Sequence, residues 1–180
     1  NNGGTLTNGP AFNTGGWFSF DGTNDYCTTS VTRGELKPAG SYEAIFRFDG
    51  SVGATYQAMI GGNSSDFFIG KNAGNNDLGI QDGNYNSNVN GGYDVFDGKW
   101  HHLMYIYDNG NGSVYLDGVL RDSPQFTGAG DDRIHYVGLE DDGAGYRWTG
   151  DISKVRFYKK VLSEGEVKQN YYQSPIVTDG

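Results

Sequence analysis

Apolar and polar residues alternate along most of the segments that lie between the glycine- and asparagine-rich turns of this chain. In the clearest case, residues 41–48, the alternate positions are apolar or aromatic: Tyr42, Ala44, Phe46 and Phe48. A period of two residues places such side chains on one face of a β-strand. The segments with this pattern are residues 17–20, 26–31, 41–48, 100–107, 113–117, 133–139 and 151–158. The sequence therefore predicts an all-β fold of antiparallel strands, each with one buried face.

Turn-forming residues separate these segments. Glycine supplies 30 of the 180 residues, and many of these glycines stand beside asparagine or aspartate. Such residues adopt the backbone conformations that tight turns require. Residues 108–112, Asp-Asn-Gly-Asn-Gly, lie between two alternating segments and predict a β-hairpin. Residues 1–10 are predicted as turns rather than as a strand or helix.

One short helix is predicted near the C-terminal end. Ser163 followed by Glu166 matches the capping box, in which each side chain binds the other residue's backbone N–H. Leu162 and Val167 have the spacing of the hydrophobic staple that accompanies it. We expect the helix to extend from about Glu164 to Tyr171.

Composition excludes several classes of protein. The 13 Lys and Arg residues against 22 Asp and Glu give a net charge of −9, which repels nucleic acid. No apolar run reaches the roughly 18 residues of a membrane span, so we expect no membrane insertion. Cys27 is the single cysteine, so no disulfide forms within the chain, and we expect a small buried apolar group. The length fits one domain.

Three stretches, in order, resemble the laminin-G-like branch of the concanavalin A-like lectin/glucanase superfamily. Residues 18–26, Phe-Ser-Phe-Asp-Gly-Thr-Asn-Asp-Tyr, are similar to an early strand–turn–strand signature of that family. Residues 100–108, which begin Trp-His-His, and residues 113–118, which end Tyr-Leu-Asp-Gly, resemble its central hairpin. Residues 150–166 resemble its closing strand and helical turn. The resemblance extends over roughly residues 16–172.

The resemblance implies a two-sheet antiparallel jelly-roll sandwich with one short C-terminal helix. We expect residues 16–173 to form the sandwich, residues 1–15 to be a lead-in from an upstream part, and residues 174–180 to be an exit linker. Residues 4–12 also resemble the lead-in of laminin-G-like modules in bacteriophage virion proteins. This likeness implies a module of an extracellular or virion structural protein.

The acidic residues do not show the pattern of a glycoside hydrolase. Two catalytic carboxylates on one strand face require alternate positions. Residues 131–132 and 140–142 are instead consecutive acids beside glycine, which is typical of loops, and Glu43 stands alone on its strand. We therefore expect a protein that is not an enzyme. A polysaccharide-degrading enzyme of the same superfamily remains an alternative.

The resemblance implies binding of a glycan or host-surface molecule at rim loops. An alternative is a purely architectural capsid, fibre or filament subunit that contacts neighbouring subunits. Sugar recognition needs aromatic faces together with a few polar groups. The candidate ligand-binding residues, in two polar, aromatic-containing segments, are Tyr85, Asn86, Asn88, Tyr93, Tyr146, Arg147 and Trp148. For each of them, packing against the sandwich is the alternative interpretation.

A calcium site is the candidate metal centre. Asp21, Asn24 and Asp25 form an oxygen-rich turn, and Ca²⁺ prefers oxygen ligands. In the family this turn often shares calcium with an acidic residue of the closing strand, for which Asp151 is the candidate here. The alternative is an ordinary turn in which these side chains cap their own backbone.

We expect the core to form from aromatic and aliphatic residues that occupy alternate positions of the predicted strands. They are Trp17, Phe20, Phe46, Phe48, Trp100, Ile106, Val114, Leu116, Val155 and Phe157. His101 and His102 are adjacent on a strand and point to opposite faces. We expect them to have a structural role, with one side chain buried and the other exposed.

Overall fold

A computed structural model describes residues 4–48, 55–62, 67–73, 77–83, 85–89, 94–126, 133–140, 145–174 and 176, with the side chains of 85–88 outside the described part. Most described residues lie in two large antiparallel sheets. The all-β sandwich with one short helix is confirmed. No helix in these ranges is long and apolar enough to cross a membrane.

Sheet A runs along one side of the sandwich. Its strands, in spatial order, are β1 (Thr5–Thr7), β4 (Tyr26–Thr32), β13 (Ile134–Val137), β6 (Gln57–Gly61), β7 (Phe67–Lys71), β8 (Leu78–Asp82) and β9 (Tyr85–Val89). A small ribbon of β14 (Leu139–Glu140) and β15 (Tyr146–Arg147) packs beside β6.

Sheet B faces sheet A. Its strands, in spatial order, are β12 (Val119–Asp122), β11 (Asn111–Leu116), β10 (Trp100–Asp108), β5 (Ala39–Phe48), β16 (Thr149–Tyr158), β3 (Trp17–Asp21) and β2 (Ala11–Asn13). The predicted hairpin joins β10 to β11, and its two turn residues, Asn109 and Gly110, have φ of 49° and 92°. Positive φ at both positions fits the twist of paired strands, which is why the sequence has Asn-Gly there.

The main core lies between the sheets. Phe46 and Phe48 of β5 point inward and are 0% and 2% exposed. Trp148 packs edge-on against both rings, with centroid distances of 5.8 and 5.5 Å. The alternation of residues 41–48 is therefore confirmed as the pattern of a core strand.

A second core lies on the opposite face of sheet B. Helix α1 (Glu164–Tyr172) begins with the predicted capping box between Ser163 and Glu166. It covers part of the outer face of β10 and β11, and the residues buried there are Met104, Ile106, Tyr115, Leu162 and Val167. Ile106 is therefore buried, but in this second cluster rather than between the sheets. His101 and His102 are both buried, contrary to the expectation that one would be exposed. His101 packs against Phe46, and His102, on the outer face, is covered by Tyr171 of the helix.

Trp17 and Trp100 do not lie in the core. Register places Trp100 opposite Arg47, on the face of sheet B that points away from sheet A. Trp17 lies on the same outer face, and both rings are half-buried. The prediction of two core tryptophans was wrong because their parity differs from that of Phe46 and Phe20.

The opening residues form two edge strands instead of turns alone. β1 pairs with β4 in sheet A, and β2 pairs with β3 in sheet B. The chain therefore crosses from one sheet to the other between Thr7 and Ala11. A short 3-10 turn (Gly34–Leu36) joins β4 to β5.

Candidate functional site

A group of half-buried tyrosines lies beside the β14–β15 ribbon. On β4, Val31 points into the core, so Tyr26, of opposite parity, points outward. Tyr136 of β13 packs against Tyr26, with ring centroids 6.0 Å apart. The Arg147 guanidinium lies over the Tyr26 ring, with Cζ 5.7 Å from the centroid. We call Tyr26, Tyr56, Tyr136, Tyr146 and Arg147 the tyrosine patch.

Tyr56 and Tyr146 form the other side of the patch. Tyr146 precedes Arg147 on β15, so the two side chains leave opposite sides of the ribbon. The Tyr146 ring packs against Tyr56 at 5.3 Å, and Tyr56 packs against Phe68 at 5.8 Å. The ribbon is therefore flanked by tyrosine pairs, all of them half-buried.

Arg147 is the one charged group of the patch, and it has no protein hydrogen-bond partner within the described ranges. Its Nη1 is shielded from solvent without an acceptor. A buried donor that lacks an acceptor costs about 1–3 kcal/mol. Stacking on a tyrosine ring recovers part of this cost. Nη1 itself is out of reach of a ligand, but Nε and Nη2 bond no described residue and are left for an oxygen acceptor outside the protein.

The structure separates the seven candidate ligand-binding residues. Tyr146 and Arg147 lie together in the tyrosine patch. Trp148 is 0% exposed in the main core, so its assignment to a binding platform was wrong. Its ring packs against Phe46 and Phe48.

Three of the other four candidates belong to β9, at the far edge of sheet A. β9 is five strand steps from β4, roughly 24 Å at the usual spacing. The backbone of Tyr85, Asn86 and Asn88 belongs to this strand. Their side chains, and all of Tyr93, lie outside the described residues, so their role stays a prediction.

A second aromatic group, on the outer face of sheet B, also contains an arginine. The Trp17 and Trp100 rings are 5.5 Å apart, and the Arg47 Cζ lies 5.7 and 5.2 Å from their centroids. Arg47 Nε donates a 2.9 Å hydrogen bond to Asp151 Oδ2, and Asp151 Oδ1 accepts from the Ser19 hydroxyl. We call Trp17, Trp100, Arg47 and Asp151 the tryptophan patch. Every charge in it is paired.

The four candidate calcium ligands do not fit one site. Asp151 is occupied by Arg47, and a guanidinium beside a carboxylate opposes a second cation there. In the turn, Asp21 Oδ1 accepts the N–H of Thr23 at 2.7 Å, and Asp25 Oδ2 accepts that of Asp21 at 3.2 Å. The Thr23 N–H lowers the pKa of Asp21. This is the backbone-capping arrangement of a turn, and calcium binding at Asp21, Asn24 and Asp25 stays a prediction.

The buried carboxylates elsewhere are paired with protein groups. Glu43 is 0% exposed and accepts from His102 Nε2 at 3.3 Å and from the Tyr158 hydroxyl at 2.5 Å. Burial raises the pKa of Glu43, but these hydrogen bonds outweigh it and the net shift is downward. Within the described ranges, no three His, Cys, Asp or Glu residues form a group that could hold a metal ion.

Sequence comparison agrees with this architecture. The sequence model of the Laminin_G_3 family, described as "Concanavalin A-like lectin/glucanases superfamily", matches residues 21–168. The chain belongs to this family. The resemblance seen in the sequence is therefore confirmed. A search by sequence among curated proteins finds no match.

Solved structures with the same fold include several binding domains. The binding domain of Paraclostridial Mosquitocidal Protein 1 has a TM-score of 0.78 at 11% identity, over 96% of this chain and 48% of that one. The binding domain of Botulinum Neurotoxin DC in complex with SialylT has a TM-score of 0.71 at 15% identity, over 96% and 47%. This chain thus spans about half the length of each.

A third similar structure is one domain of an enzyme. It is Domain 4 of AbnA, a GH43 extracellular arabinanase from Geobacillus stearothermophilus, in complex with arabinotriose. Its TM-score is 0.65 at 20% identity, over 93% of this chain and 81% of that one. At these identities the three structures establish the fold and leave the ligand of this chain open.

Sequence reasoning missed Tyr26, Tyr56 and Tyr136. A signal for Tyr26 was present, because Cys27 was expected inside and the adjacent Tyr26 has the opposite parity. A contiguous group of exposed aromatic residues marks an interaction surface, but which tyrosines lie together is known only from the fold. Tyr56 lies outside any alternating segment and gave no such signal.

Proposed function

We propose that this domain is a non-catalytic glycan-binding module and that the tyrosine patch holds the ligand. The observation that carries this is the Arg147 guanidinium, which lies over Tyr26 and has no acceptor among the described residues. A glycan offers what the patch lacks, because its hydroxyl and carboxylate oxygens accept hydrogen bonds. Its apolar C–H faces pack on aromatic rings, which is how ligand sites combine apolar walls with a few polar groups.

The ligand chemistry follows from the charge of the patch. Arg147 forms a rigid fork of donors that suits a carboxylate or two neighbouring hydroxyls. The domain as a whole carries a net charge of −9, which repels acidic glycans at long range. An acidic sugar therefore gains from Arg147 only in direct contact. The complexes of similar domains with SialylT and arabinotriose support glycans of both kinds as probes.

A non-catalytic role is supported by the state of two buried acidic residues of sheet B. Asp151 is held by Arg47, and Glu43 accepts hydrogen bonds from His102 and Tyr158. Neither is positioned as an accessible general acid. A host-surface glycan as ligand also fits an extracellular or virion-surface setting.

The test is a glycan array that contains neutral and acidic sugars. We expect reproducible binding by the wild-type domain, at least tenfold weaker binding by Arg147→Gln and by Tyr26→Ala, and unchanged binding by the control Tyr172→Ala. Tyr172 is 71% exposed on α1 and lies outside the patch. Binding that survives Arg147→Gln, or release of reducing ends from a bound glycan, contradicts this proposal.

One observation favours the architectural alternative. Val119 and Leu120, on edge strand β12, are 50% and 49% exposed. Unpaired edges with apolar residues are a route to association between chains. If this role is correct, the wild-type domain self-associates in light scattering and Leu120→Lys remains monomeric. A wild-type domain that stays monomeric at high concentration excludes it.

A further inference from the structure

An apolar groove opens between the two sheets at one side of the sandwich. Its volume is about 460 Å³, within the range of ligand pockets. Sheet A contributes Leu6 of β1 and Cys27 of β4 to its walls. Sheet B contributes Phe18 of β3 together with Val155 and Phe157 of β16.

The groove is an open side of the main core. Four partly buried apolar residues pack against that core, namely Phe18, Cys27, Val155 and Phe157. All four line the groove. Leu6, also in its wall, is 44% exposed. Covering these side chains would remove further apolar surface from water, at roughly 25 cal/mol per Å².

Backbone edges are uncovered on both walls of the groove. β3 pairs with β16 only at residues 149–152, although β16 continues to Tyr158. β1 pairs with β4 only at residues 26–28, although β4 continues to Thr32. In the part of the chain that is described, no strand pairs with the groove side of residues 153–158. Such an edge presents N–H and C=O groups that a further strand can pair with.

Basic side chains border the uncovered edge of β16. Lys154 and Arg156 alternate with Val155 and Phe157, so they lie on the outer face while the apolar pair faces the groove. Arg156 reaches Glu43 at 3.4 Å. Lys154 makes no salt bridge with any described residue, and burial together with Arg156 lowers its pKa. An acidic side chain beside Lys154 would relieve this repulsion.

We propose that the groove accepts an extended peptide from a second polypeptide, which adds to sheet B as a strand along residues 153–158. Its apolar residues enter the groove, and its alternate residues are acidic and lie beside Lys154. Strand addition of this kind obtains affinity from main-chain hydrogen bonds and specificity from alternate side chains. This surface is separate from the tyrosine patch, whose side chains lie on the outer face of sheet A.

The probe is a fluorescent peptide of about seven residues that alternates valine with glutamate. The control peptide has lysine in place of glutamate. By fluorescence anisotropy we expect the wild-type domain to bind the acidic peptide about tenfold more tightly than the basic one. Lys154→Glu reverses this preference, and Lys154→Gln, which adds no new charge at this half-buried position, removes it. Arg147→Gln binds the peptides as the wild type does, so the result is independent of glycan binding.

Hydrogen exchange locates the peptide. Residues 154–158 pair with β5 on one side, so only their alternate amides that point to the groove are uncovered. We expect these groove-side amides to exchange rapidly in the domain alone and to slow when the acidic peptide is added. The proposal is overturned if neither peptide binds, if Lys154→Glu leaves the preference unchanged, or if the groove-side amides are already protected in the free domain.

Discussion

The tryptophan patch and the tyrosine patch have the same components and differ in how their arginines are satisfied. In both, an arginine lies over an aromatic ring on the outer face of a sheet. Arg47 is held by Asp151, which also accepts from Ser19. Arg147 has the ring of Tyr26 and no carboxylate within hydrogen-bonding distance among the described residues.

This difference separates a structural cluster from a binding site. A paired arginine stabilises the fold and offers little to a ligand, because a new acceptor must displace a charged one. An unpaired arginine adds little to stability and retains its donors. Aromatic content alone does not distinguish the two patches, since the larger rings belong to the patch that we regard as structural.

The largest expected effect tests whether Trp148 belongs to the main core and not to the tyrosine patch. Trp148→Ala removes a fully buried ring, and we expect the free energy of unfolding to fall by about 3–5 kcal/mol. Tyr146→Ala, two residues earlier and half-buried, is the matched control and costs about 1 kcal/mol. Urea denaturation measures both. Equal losses would place Trp148 outside the core and restore it as a candidate platform.

The next effect tests the pairing of Arg47. Asp151→Ala leaves the guanidinium without its carboxylate, and we expect a loss of about 1–3 kcal/mol, moderated because the Arg47 side chain is one-third exposed. Glycan binding should not change. A variant that is as stable as the wild type would show that this ion pair does not contribute to the fold.

A second satisfied cation, His101, gives a smaller, pH-dependent effect on stability. The His101 ring lies between Asp117 Oδ2 at 2.8 Å and Asp97 Oδ1 at 3.1 Å. Burial lowers the pKa of His101, but the two carboxylates outweigh it and raise the pKa above 6.5. The pairing therefore stabilises the fold fully below pH 6.5 and is lost as the pH rises through the raised value.

The measurement for His101 is urea denaturation from about pH 6 to pH 9. We expect the wild type to lose more stability over this interval than His101→Gln, which lacks the His101 ring but retains every other group that titrates there. Parallel curves for the two proteins would show that the charged ring makes no net contribution.

The smallest expected effect concerns Arg147. Because this guanidinium has no acceptor to lose, Arg147→Gln should leave the free energy of unfolding within about 0.5 kcal/mol of the wild type. The same denaturation assay applies. A loss comparable to that of Asp151→Ala would mean that Arg147 is structural, and the distinction between the patches would fail.

Local patterns predicted the fold well where one face of a segment is buried. The Asn109–Gly110 hairpin and the Ser163 capping box were recognisable because a turn or cap depends on a few neighbouring residues. Ile106 shows the limit. Its burial depends on helix α1, about 60 residues later in the chain. Alternation shows that one face of a strand is apolar, but it does not show whether that face packs against the other sheet or against a helix.

The candidate site was only partly predictable for a related reason. Tyr146 and Arg147 were chosen for their residue types, and Trp148 was chosen with them although its ring packs against Phe46 and Phe48 in the main core. The contact of Arg147 with Tyr26 joins residues far apart in sequence. The decisive property, an arginine without an acceptor, exists only once the chain has folded.

The most direct test is to locate the bound glycan by NMR. The ¹⁵N-labelled domain would be titrated with the glycan that gives the strongest array signal, and amide shifts would be followed residue by residue. We expect the largest shifts at Tyr26, Tyr136 and residues 145–147, and none at Trp17, Arg47 or Trp100. Shifts centred on the tryptophan patch, or no shifts with any glycan, would contradict the central claim.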